Sequence, residues 1–143
     1  MLTTERLSEL ISTKRAVLTQ LREIGQRQID LAASGDISLL LSLLGAKQSL
    51  IATLQDLETA LRPHYAENPE QRPWRSAQER VACAQQASEC NALLEDILRL
   101  EKLGAEKVAA RRSEVAEQLQ QVHAASQIRS AYESQRRTPT KVQ

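Results

Sequence analysis

Between Pro73 and Pro139 the chain carries no proline, and Ser76-Ala77-Gln78-Glu79 opens that stretch as a capping box. In such a box the serine hydroxyl accepts the amide three residues on, and the glutamate reaches back. Proline is the residue that most reliably stops a helix, and no such stop occurs before Pro139. The spacing predicts one helix from about 77 to 132, roughly 80 Å long at ~1.5 Å per residue. A helix of that length finds an equally long partner, folds back, breaks near Gly104, frays, or leaves a face uncovered.

The first half of the chain supplies shorter elements. Thr3 or Thr4 suits an N-cap, and Glu5 lies in the first turn, where the helix dipole favours a carboxylate. Leu10, Val17, Ile24 and Leu31 recur at intervals of seven, with Leu7 and Leu21 on the neighbouring seam and polar interruptions at Lys14 and Gln28. This predicts helix 1 over about 3–33. At Ser34-Gly35-Asp36 the pattern stops. Glycine enters the left-handed region without a Cβ penalty, and aspartate accepts the free amides of a new first turn. The pair reads as stop, then start, with a kink in one continuous helix as the alternative.

Helix 2 is then expected over about 36–62, with Leu40, Leu43, Leu50, Leu54, Leu57 and Leu61 as its seam. A reversal near Gly35 sets Leu31 against Leu40, Leu21 against Leu50, Val17 against Leu54 and Leu10 against Leu61, which favours a hairpin. The segment 34–44, SGDISLLLSLL, is too apolar for that hairpin alone. Leu39, Leu40, Leu41, Leu43 and Leu44 span an arc of roughly 200°, twice an ordinary apolar stripe. Helix 2 should touch helix 1 on one side and something else on the other. Residues 62–75, RPHYAENPEQRPWR, hold three prolines and read as a stiff linker, with Tyr65 and Trp74 packed against the bundle end.

Helices 1 and 2 reach only ~40–45 Å each, so half of helix 3 has no intramolecular partner of matching length. Its composition changes along the way. Ala87, Cys90, Leu94, Ile97, Leu98 and Leu100 form a dense apolar face suited to helices 1 and 2. Beyond Gly104 the stripe thins to Val108, Val115, Leu119 and Val122, while Ala125, Ile128 and Tyr132 are rotated away from it. Such a stripe suits a surface that meets another chain. The remainder, 134–143, reads as a disordered tail. The fold class is therefore all-α: an antiparallel helical hairpin plus one long C-terminal helix, a three-helix bundle or coiled coil in one domain spanning 1–143.

Composition agrees and narrows the function. Phe is absent and Trp74, Tyr65 and Tyr132 are the only aromatics, so the core rests on long aliphatic helices. Nineteen basic and eighteen acidic residues are interspersed, leaving neither a polyanion-binding surface nor an acidic tail. Arg111-Arg112 is flanked by glutamate, and Arg136-Arg137 lies in the tail, so nucleic acid is not an expected partner. MLTTERLSEL lacks the features of a signal peptide, and no apolar run approaches the ~18 residues of a membrane span; a cytoplasmic protein without membrane insertion is expected. Cys83 and Cys90 lie about 10 Å apart along one helix, too far to bridge within it. They read as small buried apolar residues, or as a disulfide across a dimer seam. His64 and His123 are solitary and read as surface residues. Neither a phosphate-cradling glycine loop nor zinc-ligand spacing is present, so no catalytic, cofactor or metal residues are expected. Glu95, Asp96 and Arg99, or Arg111 and Glu114, read as solvated ion pairs on a helix surface.

The stretch LREIGQRQIDLAASGDISLLLSLLGAKQSLIATLQDLE resembles the first half of the small flagellar export chaperones of the FlgN and FliT kind. The likeness rests on a leucine-rich helix, the Gly35-Asp36 break, Lys47, and the apolar pair Leu50-Ile51. A second echo is the Ala131-Tyr132 pair near the end of the long helix. Where that family often carries asparagines, this chain reads RLEKLGAEKVAARR. The resemblance implies a cytoplasmic chaperone, not an enzyme. It would hold the C-terminal amphipathic helix of a hook-associated protein, at a filament junction or cap, and deliver it to the type III export gate. The contacts expected on that basis are Val108, Val115, Leu119, Val122, Ile128 and Tyr132, with Leu39 and Leu41 as a secondary patch. The alternative is a coiled-coil structural or scaffold protein that homodimerises through helix 3.

Overall fold

A computed structural model of the chain describes residues 2–137, and side chains from 2 to 135. It is an all-α helical bundle of three long helices, with no strand among the described residues. Helix α1 is Thr4–Ala32, α2 is Ile37–Tyr65 and α3 is Ala77–Arg137, with one 3₁₀ turn, Pro69–Gln71, before α3. Each start is capped by the residue the sequence offers. Thr3 accepts the Arg6 amide at 3.0 Å, Asp36 accepts that of Leu39 at 3.1 Å, and Ser76 accepts that of Glu79 at 3.1 Å. Between α1 and α2 the amides of Ser34 and Gly35 both donate to the Leu31 carbonyl. Gly35 sits at φ 76°, the left-handed value that a Cβ resists. The chain therefore turns there, and the hairpin reading holds over the kink.

The chain divides into two units, Met1–Gly104 and Ala105–Gln143, with α3 contributing to both. The first unit holds the core. Leu7, Leu10, Ile11, Val17, Leu18 and Leu21 of α1 cluster with Leu61 of α2 and with Cys83, Cys90 and Leu93 of α3; Leu18 and Leu61 are fully buried. α1 thus buries two sides. One side meets α2 antiparallel, and the two polar interruptions in its stripe find partners there: Lys14 pairs with Glu58 at 2.5 Å, and Gln28 accepts from Lys47 at 3.4 Å. The other side meets α3. Arg15 pairs with Glu89 and Arg22 with Asp96, so the partners advance seven residues together and α1 and α3 run parallel. Lys47 of α2 also bonds Glu101 of α3.

A parallel pair needs a return stroke, which α2 and the segment after it provide. The linker is tied down at its far end, where the Thr4 hydroxyl donates to the Pro73 carbonyl at 3.4 Å and Glu5 pairs with Arg75. Trp74 packs against the core, as its position suggests, while Tyr65 is half-exposed.

Three expectations change. Pro63 does not end α2, which continues to Tyr65 instead of stopping near 62. A proline removes one amide from the ladder and crowds the carbonyl four residues back, but here the turn beyond it is clamped: Arg72 donates to the His64 carbonyl at 2.6 Å, and so does the Glu67 amide at 3.2 Å. His64, read as a surface residue, is consequently buried, with its Nδ1 3.5 Å from Glu67. At the other end α3 extends to Arg137, so residues 134–137 of the expected disordered tail are helical; 138–143 lie outside the described residues.

Candidate partner-binding surface

The second unit is a single helical segment, and every residue from Ala105 to Gln135 is exposed. An exposed helix still sorts its side chains by face, at about 100° per residue. Val108, Val115, Leu119 and Val122 fall within an arc of roughly 60° on that reckoning. Their exposures run from 41% at Val115 to 66% at Val122, so all four are open to a partner. Ile128 and Tyr132 are exposed as well but lie about 120° and about 80° around the helix from Val122, the nearest of that quartet. The six expected contacts on α3 thus divide into a coherent stripe of four and a separate pair.

The secondary patch also divides. Leu39 and Leu41 are both exposed on α2, yet residues two apart on a helix point about 200° apart. They share no face. The crowded leucines instead separate by role: Leu43 is buried, Leu40 is half-buried, and Leu39, Leu41 and Leu44 remain exposed. The expectation that helix 2 has more apolar surface than the hairpin can cover is met.

Sequence reasoning did not group Leu41 with its neighbours on one face of α2. Ile37, Leu44 and Ile51 are exposed with it, and all four follow helical intervals of four and three. That interval, begun at Ile37 instead of at Leu40, is the signal that finds them. It also bears on the membrane expectation. Over 18 residues α2 reaches a mean hydropathy of 1.6 with 6% of that window buried, so by length and composition it could cross a membrane. No uninterrupted apolar run announces this, because Ser, Gly, Ala and Gln are interspersed with the leucines.

The remaining concavities offer little chemistry. A cleft of about 270 Å³ lies among Leu7, Ile11, Tyr65, Trp74, Arg72 and Arg80, with both arginines within 4 Å of glutamates, Glu67 and Glu70. Among the described residues no three His, Cys, Asp or Glu side chains converge in a way that could hold a metal ion. Cys83 and Cys90 are free and buried, and burial pushes the Cys90 thiol above its usual range, opposite to an activated nucleophile. The cysteine sulfur instead lies 3.7 Å from the Ile11 carbonyl, inside the α1–α3 contact. The ion pairs expected on the α3 surface form between Arg99 and Asp96 and between Arg111 and Glu114.

Comparison with protein-family models, curated proteins and solved structures returned no match.

Proposed function

We propose that the chain is a cytoplasmic carrier that holds an amphipathic helix of a client along Val108, Val115, Leu119 and Val122. Four large apolar side chains on one arc, each at least 41% exposed, carry this reading. A solvated helix gains nothing from such a stripe, whereas a docked helix buries it at roughly 25 cal/mol per Å². The resemblance to flagellar export chaperones supplies the client class: the C-terminal helix of a hook-associated protein, bound before export.

A second reading rests on a different regularity. Val108, Val115 and Val122 recur at strict intervals of seven, the spacing of a coiled-coil seam. On that reading the chain is a scaffold protein that homodimerises through this part of α3.

Titration of the purified chain with peptides copying the C-terminal helices of hook-associated proteins tests the first reading. A 1:1 complex is expected, weakened at least about tenfold by Leu119→Asp or Val122→Asp. Melting temperature should barely change. Binding that survives both substitutions refutes the site, and a dimer that they abolish, with no peptide bound, favours the scaffold.

A further inference from the structure

Helix α2 carries two seams, and the chain uses one of them. The seam from Leu40 to Leu61 is buried or half-buried against α1 and α3. Beside it Ile37, Leu41, Leu44, Gln48, Ile51 and Gln55 repeat at alternating intervals of four and three. All six are exposed, Ile37 at 69% and Leu41 at 62%.

The interval identifies the kind of occupant. Alternating steps of four and three return side chains to one face, where each can insert between four residues of a neighbouring helix. A lipid surface calls for another pattern, a broad apolar face opposed by one rich in Lys and Arg. Between Ile37 and Gln55 the one charged residue is Lys47, and it bonds Glu101 and Gln28 within its own chain. The seam is spaced for a helix.

We propose that this seam docks a second copy of the chain, α2 against α2 about a twofold axis. A twofold interface presents one patch to itself, so a charge near its centre meets its own kind. This seam carries none. Gln48 and Gln55 add a positive element, because each amide is both donor and acceptor and can pair with an identical group across the axis. Next to them, Gly45 has no atom beyond its own stretch of helix backbone within 4 Å of the point a Cβ would occupy, which leaves room for a neighbouring backbone to approach. The seam is about 28 Å long. That is the small end for a specific interface, so a dimer in the micromolar range is expected.

Sedimentation equilibrium of the full chain, from about 1 to 500 µM, tests the proposal. The expected result is a monomer–dimer equilibrium whose dissociation constant rises at least about 30-fold in Leu41→Glu, with melting temperature unchanged. The double variant Val115→Asp, Leu119→Asp should leave that constant where it was. Should Leu41→Glu fold poorly, Ile37→Glu in the first turn of α2 is read in its place, with the same loss expected. A chain that stays monomeric throughout overturns the proposal, as does a dimer indifferent to the α2 variant or lost only in the double variant. Phosphatidylcholine vesicles complete the test. The protein should remain in the aqueous fraction, and flotation with the vesicles at the expense of the dimer would assign the seam to lipid instead.

Discussion

Lys14 Nζ lies 2.5 Å from the Glu58 carboxylate, across the seam between α1 and α2. Burial alone would lower the lysine pKa, but hydrogen bonding to Glu58 and the nearby Tyr65 hydroxyl more than offset it, and the net shift is upward from 10.5. Cys90 moves the same way for another reason, its thiol raised from 9.0 by burial. Both groups hold a proton more tightly in the folded chain than in the unfolded one. Their contribution to stability is therefore complete below the unfolded values and declines as pH rises through the folded ones. Guanidinium midpoints should be level to about pH 8.5 and fall above it. Lys14→Met should remove the upper part of that decline, and an unchanged alkaline profile in the variant would refute the assignment.

The two thiols should be inert in the native protein. Cys83 is 7% exposed and Cys90 is 2% exposed, and the thiolate of Cys90 is disfavoured. Reaction with a disulfide reagent should be slow and limited by opening of the α1–α3 contact. Full modification within the mixing time, without denaturant, would place both thiols at the surface.

Core and stripe should respond oppositely to substitution. Leu18 is fully buried between the helices, so Leu18→Ala should cost about 2–5 kcal/mol in chemical unfolding. Leu119 is 64% exposed, and Leu119→Asp should change stability by less than about 0.5 kcal/mol. A large loss at Leu119 would mean that its side chain belongs to a core.

Two glycines separate turn from helix. Gly35→Ala forces a Cβ into the left-handed region at φ 76° and should destabilise by about 1 kcal/mol. Gly45 is inside α2 with open space around it, so Gly45→Ala should stabilise the monomer by about 0.5–1 kcal/mol. Thermal melts of the two variants at low protein concentration give the signs directly.

Backbone amides should report the two units separately. Residues 105–135 bury nothing, so their helix rests on its own propensity and should exchange within minutes at neutral pH. The amides around Leu18 should approach global protection. Comparable protection in both places would contradict the exposure of the second unit.

Much of this architecture is written in local chemistry. Thr3, Gly35-Asp36 and Ser76 mark helix ends because capping depends on a few neighbouring atoms, and all three act as their types suggest. The α1 and α2 seams are equally plain, since seven-residue spacing survives any context. Pro63 and His64 defeat a local reading because the groups that clamp them, Arg72 and Glu67, come from the loop after α2. Likewise no local pattern announces that α1 and α3 are parallel; that depends on how the linker returns the chain to Thr4. On the candidate surface, Val108, Val115, Leu119 and Val122 are legible as a stripe. Grouping Leu39 with Leu41 fails on angle, and the seam from Ile37 to Gln55 is hidden by the stronger one beside it.

The parallel arrangement of α1 and α3 sets the order of events during synthesis. Once residue 65 has left the ribosome, the first helix can close against the second, but Cys83, Cys90 and Leu93, which cover its other flank, are still inside the exit tunnel. At about 5–20 residues per second they emerge roughly one to six seconds later. For that interval the nascent chain presents Ile11 and Leu18 beside the greasy first half of α2. Any cellular factor that shields emerging polypeptides would meet this protein at its stickiest moment.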